Sequence, residues 1–146
     1  MNEHRWTWIT GAWYFEAIGA PFPPHVMIFN SDKTLISSNP DRGEANNSAS
    51  SGIGVWDHEN LSERHHSPQF RGRFIEVNAD PVNHQHSSNL IVDFMVTLTG
   101  DRFEGPAQSA IYAPDGMLIE QFPEVTLKGQ RITLSSLPPV TDVAVS

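Results

Sequence analysis

Two carboxylates interrupt stretches of sequence that otherwise suit the inside of a protein. Glu76 follows Phe74 in the stretch 70–78, and Asp93 interrupts the most apolar stretch of the chain, 90–96. A carboxyl group in an apolar cavity has a raised pKa and can act as a general acid or base near neutral pH. We therefore predict that Glu76 and Asp93 are catalytic candidates.

The role of each carboxylate depends on the strand face that it occupies. Because alternate residues of a strand share a face, Glu76 shares a face with Phe74, whereas Arg73 lies on the opposite one. Glu76 then either faces the interior or lies on the solvated face, paired with a nearby arginine. For Asp93, simple alternation favours the solvated face, and the alternative is a polar position in a cavity.

A histidine and a tyrosine complete the set of catalytic candidates. His25 opens the stretch 25–29 after two prolines, where a strand would begin at the rim of a sheet. There it either transfers protons or caps the end of the strand. Tyr112, at the end of the stretch 103–112, is the fourth candidate. We expect these four groups to provide acid-base chemistry.

The sequence contains no motif for a metal, a nucleotide or a covalent nucleophile. The absence of cysteine excludes thiolate ligands and disulfides. His84 and His86 have the H-x-H spacing of cupin metal sites, but Asn89 and Leu90 stand where such a site needs a glutamate. Hydrolase, zinc-protease, phosphate-loop and dinucleotide motifs are missing as well. We therefore expect neither a metal nor a cofactor.

The charge of the chain argues against two classes of partner. Its 146 residues carry a formal net charge of -8, with only nine Lys and Arg, whereas nucleic acids and acidic membranes bind clustered basic residues. The N-terminus lacks the continuous apolar segment of an export signal, and no apolar run approaches the length of about 18 residues that a membrane span needs. We expect a soluble, cytoplasmic protein with no nucleic-acid or membrane partner.

Eleven prolines and ten glycines divide the chain into short stretches. No stretch of about 12 residues keeps a helical period, whereas β-branched and aromatic residues dominate the segments between the breaks. The predicted strands are 13–18, 25–29, 34–37, 53–58, 70–78, 90–99, 103–112, 117–122 and 125–134. Tight-turn sequences separate several of them. We predict an all-β fold, an antiparallel up-and-down barrel of eight or nine strands, with a sandwich as the alternative.

The length of the chain fits one domain. We place a single barrel domain at 1–136 and an extended tail at 137–146. Two polar stretches, 39–52 and 79–89, are predicted to be surface loops. The first of them is either a lid over a cavity or a plain connection.

Two short motifs, one near the beginning and one near the end of the chain, resemble those of a known family. The sequence Gly-Ala-Trp-Tyr at 11–14 resembles the G-x-W opening of the lipocalins and of the wider calycin group of small-molecule-binding barrels. The sequence Gly-Gln-Arg-Ile at 129–132 resembles their closing element, in which a basic residue lies over that tryptophan. The resemblance implies that Arg131 stacks on Trp13 and closes one end of the barrel.

The resemblance also implies a cavity that encloses an apolar organic molecule. The aromatic residues expected to line it are Phe15, Phe29, Trp56, Phe74 and Phe94. We predict a cofactor-free enzyme of the isomerase, cyclase or lyase type, and the alternative is a non-catalytic carrier of a hydrophobic ligand. A third alternative is a filled interior with apolar faces used in a homodimer.

Overall fold

Short stretches of β-branched and aromatic residues form ten strands in the computed structural model, which describes residues 9–20, 23–40, 47–60 and 67–135. The strands are β1 (Gly11–Ile18), β2 (His25–Phe29), β3 (Thr34–Ser38), β4 (Ser48–Ala49), β5 (Gly52–Asn60), β6 (Gln69–Asp80), β7 (Gln85–Thr99), β8 (Arg102–Tyr112), β9 (Leu118–Gln121) and β10 (Val125–Arg131). No helix occurs among the described residues, and the predicted all-β class is confirmed.

Eight of the strands close into a barrel. Chain order and spatial order agree along β1, β2, β3, β5, β6, β7, β8 and β10, and every neighbouring pair is antiparallel. Strand β10 pairs with β8 on one side and with β1 on the other. This double pairing leaves the barrel without a free edge, and it confirms the predicted antiparallel up-and-down barrel.

The two remaining strands extend the barrel wall at one end. Strand β4 pairs with β6 just beyond the point where β5 begins, and β9 pairs with β8 just beyond the point where β10 begins. Both additions lie at the end where β1 finishes and β2 starts, which we call the open end. We call the opposite end, where β1 starts and β10 finishes, the closed end.

The prediction of a loop at 79–89 is wrong for most of that stretch. Strands β6 and β7 continue through it as a hairpin, and only residues 81–84 form the turn. The Asp80 carboxylate accepts hydrogen bonds from the backbone N–H groups of Val82 and Asn83, at 2.8 and 3.3 Å, and these bonds lower the pKa of Asp80. Because the Asp80 carboxylate accepts hydrogen bonds from the backbone of the turn, the turn is short and both strands extend up to it.

Parts of two other predictions lie outside the described residues. These are positions 41–46 of the predicted loop 39–52 and the whole predicted tail 137–146. Of that loop, Ser48 and Ala49 form strand β4. The last barrel strand ends at Arg131 and not at position 134 as predicted.

Trp13 and Arg131 lie at the centre of the closed end. Trp13 is fully buried, and its indole Nε1 donates a hydrogen bond of 2.8 Å to the carbonyl of Ile9. The guanidinium of Arg131 lies 4.5 Å from the centre of the indole ring. It also donates from Nη1 to the carbonyl of Thr10, at 2.7 Å, and from Nε to the carboxylate of Asp101, at 2.9 Å. Arg131 therefore ties the last strand to the residues that precede the first.

Inward-facing glycines make room for aromatic rings inside the barrel. Gly129 lies directly opposite Phe103, and a Cβ atom added to it would overlap the Phe103 ring. Gly72 lies opposite Phe94 in the same way, and a Cβ there would come within 2.5 Å of that ring. Pairing a glycine with an aromatic residue across two strands lets the ring fold over the bare backbone of its neighbour.

Replacing Arg131 with alanine should lower the free energy of unfolding by about 2–3 kcal/mol. The change removes one cation-π contact and two hydrogen bonds from a charged donor. Urea denaturation measures the loss. Lys128→Ala, an exposed change three positions away on the outer face, should cost no more than about 0.5 kcal/mol. Equal losses in the two variants would contradict the closing role of Arg131.

Gly129→Ala should destabilise the barrel by about 1–3 kcal/mol, because the new methyl group displaces the Phe103 ring. The Phe103→Leu change removes the ring that the methyl group meets. In a double-mutant cycle the two changes should therefore couple by about 1 kcal/mol in the favourable direction. Strict additivity in urea denaturation would show that the ring does not depend on the glycine.

Candidate functional site

The interior of the barrel is filled at the closed end and hollow at the open end. Aromatic rings pack edge to face near the closed end, with centroid distances of 5.9 Å for Phe29 and Trp56 and 5.8 Å for Trp56 and Phe70. Towards the open end the inward positions hold small residues such as Ala17, Ala107 and Ser109. A cavity of about 220 Å³ lies there.

The cavity has a mostly apolar wall. Its apolar side chains include Phe15, Ala17, Phe74, Leu90, Val92, Ala107, Phe122, Val125 and Leu127, and its polar ones are His25, Asn39, Glu76, Gln108 and Ser109. Predominantly apolar walls with a few polar groups are typical of sites that bind small organic molecules. The two ionisable side chains of this wall are His25 and Glu76.

Glu76 faces the interior. It stands next to Phe74 on the inward face of β6, opposite Leu90 of β7, and only 4% of its surface is exposed. Of the two alternatives that strand periodicity left open, the structure shows the inward one. The Glu76 side chain thus belongs to a cavity wall whose other members are mostly apolar.

His25 lies at the rim of the same cavity. It starts β2 directly opposite Phe15, and the two rings stack with their centroids 5.0 Å apart and their planes inclined at 27°. The imidazole is half-buried. The structure thus brings His25 and Glu76 into the wall of one cavity, and it places His25 nearer the opening.

The other two catalytic candidates lie elsewhere. Asp93 is on the outer face of β7, where its carboxylate accepts two hydrogen bonds from Arg73, at 2.6 and 3.1 Å. These bonds raise the pKa of the guanidinium. Asp93 thus occupies the solvated face that alternation favoured. Tyr112, at the end of β8, is half-buried and is not among the residues that line the cavity.

The five aromatic residues predicted to line the cavity divide into two groups. Phe15 and Phe74 do line it. Phe29, Trp56 and Phe94 also face inward, but they pack in the filled part of the barrel, where Phe29 meets Phe94 edge to face at 6.1 Å. Strand alternation shows which residues face inward, but it contains no information on their height along the barrel axis.

Several residues that line the cavity were not among the predicted site residues, because their small side chains gave no sign of a functional role. Ala17, Ala107 and Ser109 have no chemistry that marks them, yet they leave the space that the rings fill at the other end. A signal was present in their spacing: each lies at an inward position, Ala17 next to the last residue of β1, Ala107 at the middle of β8 and Ser109 in its second half. Small inward residues grouped at one end of a barrel indicate a cavity there.

The histidines considered for a metal site do not form one. His84 lies in the turn between β6 and β7, and Nε2 of His86 lies 2.8 Å from the Asn89 side-chain oxygen. No three His, Asp or Glu side chains come together as a metal site in the part of the chain that the structure describes. Nor does any helix within that part have the length and apolar character needed to span a membrane.

Comparison with known proteins adds no relative. The chain matches no protein-family model, no curated protein and no solved structure at a significant level.

Ala107→Leu should fill part of the cavity and weaken the binding of a small aromatic probe such as indole at least about tenfold. Isothermal titration calorimetry measures the affinity. Thr126→Leu is a matched control, because it adds comparable bulk to the neighbouring strand β10 at a position that faces outward, opposite Pro106. Equal binding of indole by the wild type and both variants would show that the probe does not enter this cavity.

Proposed function

We propose that the protein binds a small apolar organic molecule in the cavity at the open end of the barrel. A cavity of about 150 Å³ holds one benzene molecule, so the 220 Å³ found here suits a ligand of about ten non-hydrogen atoms. The observation that carries the proposal is the composition of the wall: an apolar enclosure that contains one nearly buried carboxyl group.

We further propose that the protein is an enzyme that needs no cofactor and uses Glu76 for proton transfer. A buried carboxyl group exchanges protons with a bound molecule efficiently, because bulk water is largely excluded from its surroundings. His25, nearer the opening, would pass the proton between the cavity and solvent. This chemistry fits isomerisation, cyclisation or a lyase step.

A non-catalytic carrier is the second candidate function, and one observation favours it. The contact of Arg131 with Trp13 at the closed end resembles the arrangement in the calycin barrels, many of which hold ligands without changing them. We accordingly propose that the fold is calycin-like. The two functions share the cavity and differ only in whether Glu76 moves a proton.

Proton abstraction next to a carbonyl group provides the test. We expect the protein to accelerate the exchange of deuterium from solvent into the α-carbon of 2-tetralone, a bicyclic ketone of about the right size. The base removes the α-proton to give the enolate, and a deuteron from solvent then adds to the same carbon. Glu76→Gln should lower the rate measured by NMR at least about 100-fold, the usual contribution of a general base.

Asp93→Asn is the matched control, since it removes a carboxylate from the outer face of the next strand. Its exchange rate should stay within about twofold of the wild type, because an exposed ion pair contributes little to stability. If the ketone binds but neither the wild type nor either variant exchanges deuterium faster than the uncatalysed reaction, the carrier function is favoured. If it does not bind at all, the proposed ligand class is wrong.

A further inference from the structure

Five isoleucines form a continuous row across the outside of the barrel. They lie opposite one another on consecutive strands, so that Ile28 pairs with Ile36, Ile36 with Ile53, Ile53 with Ile75, and Ile75 with Ile91. We call these residues the isoleucine row. It crosses β2, β3, β5, β6 and β7, and at about 4.8 Å between strands it is roughly 19 Å long.

The isoleucine row is exposed, and valines widen it. Ile28, Ile36, Ile53 and Ile75 are between 40% and 59% exposed, and Ile91 is half-buried. The row is flanked by the outward valines Val26, Val55 and Val77, each about half exposed. β-branched side chains at directly opposite positions also pack against one another along the sheet.

The opposite wall of the barrel has the charged surface that a solvated sheet normally presents. There Glu16, Lys128 and Glu104 form a cross-strand row of alternating charge on β1, β10 and β8, and all three are exposed. The two walls therefore differ in kind, although both face outward. On the wall that carries the isoleucine row, charged side chains such as Arg73 and Asp93 lie beside the row, whereas the row itself and its flanking valines carry no charge.

The area of this apolar surface is close to what a stable interface needs. The exposed parts of the row and its flanking valines together amount to about 600 Å², the upper limit for the largest apolar patch on an ordinary monomer. A standard interface buries about 800 Å² on each partner. A rim of neighbouring polar side chains would supply the rest.

We propose that a second copy of this chain covers the isoleucine row, so that the protein is a homodimer whose two barrels pack wall to wall. A two-fold interface must be complementary to itself, and an uncharged apolar row satisfies this condition without placing like charges together. The nearest charged pair, Arg73 and Asp93, is neutralised within its own chain by two hydrogen bonds.

Ile53 lies at the middle of the isoleucine row and is its most exposed member, at 59%. Two sheets that pack face to face lie about 10 Å apart with their inner side chains interdigitated. With the two-fold axis near the centre of the row, Ile53 of each copy meets the same region of the other. The dimer leaves the open end of each barrel accessible, because the row lies on the side wall.

Sedimentation equilibrium over a range of concentrations tests the dimer. We expect the wild type to be a dimer and Ile53→Asp to raise its dissociation constant at least about 100-fold, because the change buries two like charges in an apolar interface. Ile18→Asp is the matched control. Ile18 is an outward isoleucine, 48% exposed, on β1 outside the row, and its variant should remain a dimer.

Ile53→Thr is a second variant, for the case that Ile53→Asp fails to fold. Threonine keeps the β-branched shape that suits a strand. It should weaken the dimer at least about tenfold, with an unchanged circular dichroism spectrum. A wild type that is monomeric at about 100 μM would overturn the proposal, and so would a dimer that both Ile53 variants leave intact. Ala107→Leu should dimerise like the wild type, so failure of the dimer and failure of ligand binding are separate results.

Discussion

The double pairing of β10, with β8 on one side and β1 on the other, is the constraint on which the rest of the structure depends. It turns an open meander into a closed wall, and it thereby gives every strand one inward and one outward face. Arg131, at the end of β10, lies over Trp13 at the start of β1, and this contact stabilises the pairing of the two strands. The filled core, the cavity and the apolar outer wall all follow from that division into two faces.

Inside the barrel, the size of the inward side chains decides which part becomes core and which part stays hollow. Rings that lie over glycines, such as Phe103 over Gly129, fill the closed end. Alanine and serine at the open end leave space, and the wall there includes a nearly buried carboxyl group. Glu76 lies beside Phe74 in this wall, and only 4% of its surface is exposed.

The sequence was sufficient to predict nine of the ten strands, because alternation and turn residues are local signals, whereas the two-residue strand β4 lies in a predicted loop. It also indicated that Glu76 shares a face with Phe74. Local signals contain no information on the height of a residue along the barrel axis. For this reason Phe29, Trp56 and Phe94 were expected in the cavity wall, but they pack in the filled part of the barrel. The stretch 79–89 was misjudged for a related reason: beyond the barrel neither face of the hairpin is buried, so its strands lack the apolar alternation that marks the others.

We propose that a small apolar molecule occupies the open end of the barrel beside Glu76. The most direct measurement is a set of intermolecular nuclear Overhauser effects between bound indole and the methyl groups of the protein. We expect contacts to the methyl groups of Leu90, Val92 and Leu127, which line the cavity, and none to those of Leu35 and Leu98 in the filled core. Contacts confined to the outer wall, or none at all in the cavity, would contradict it.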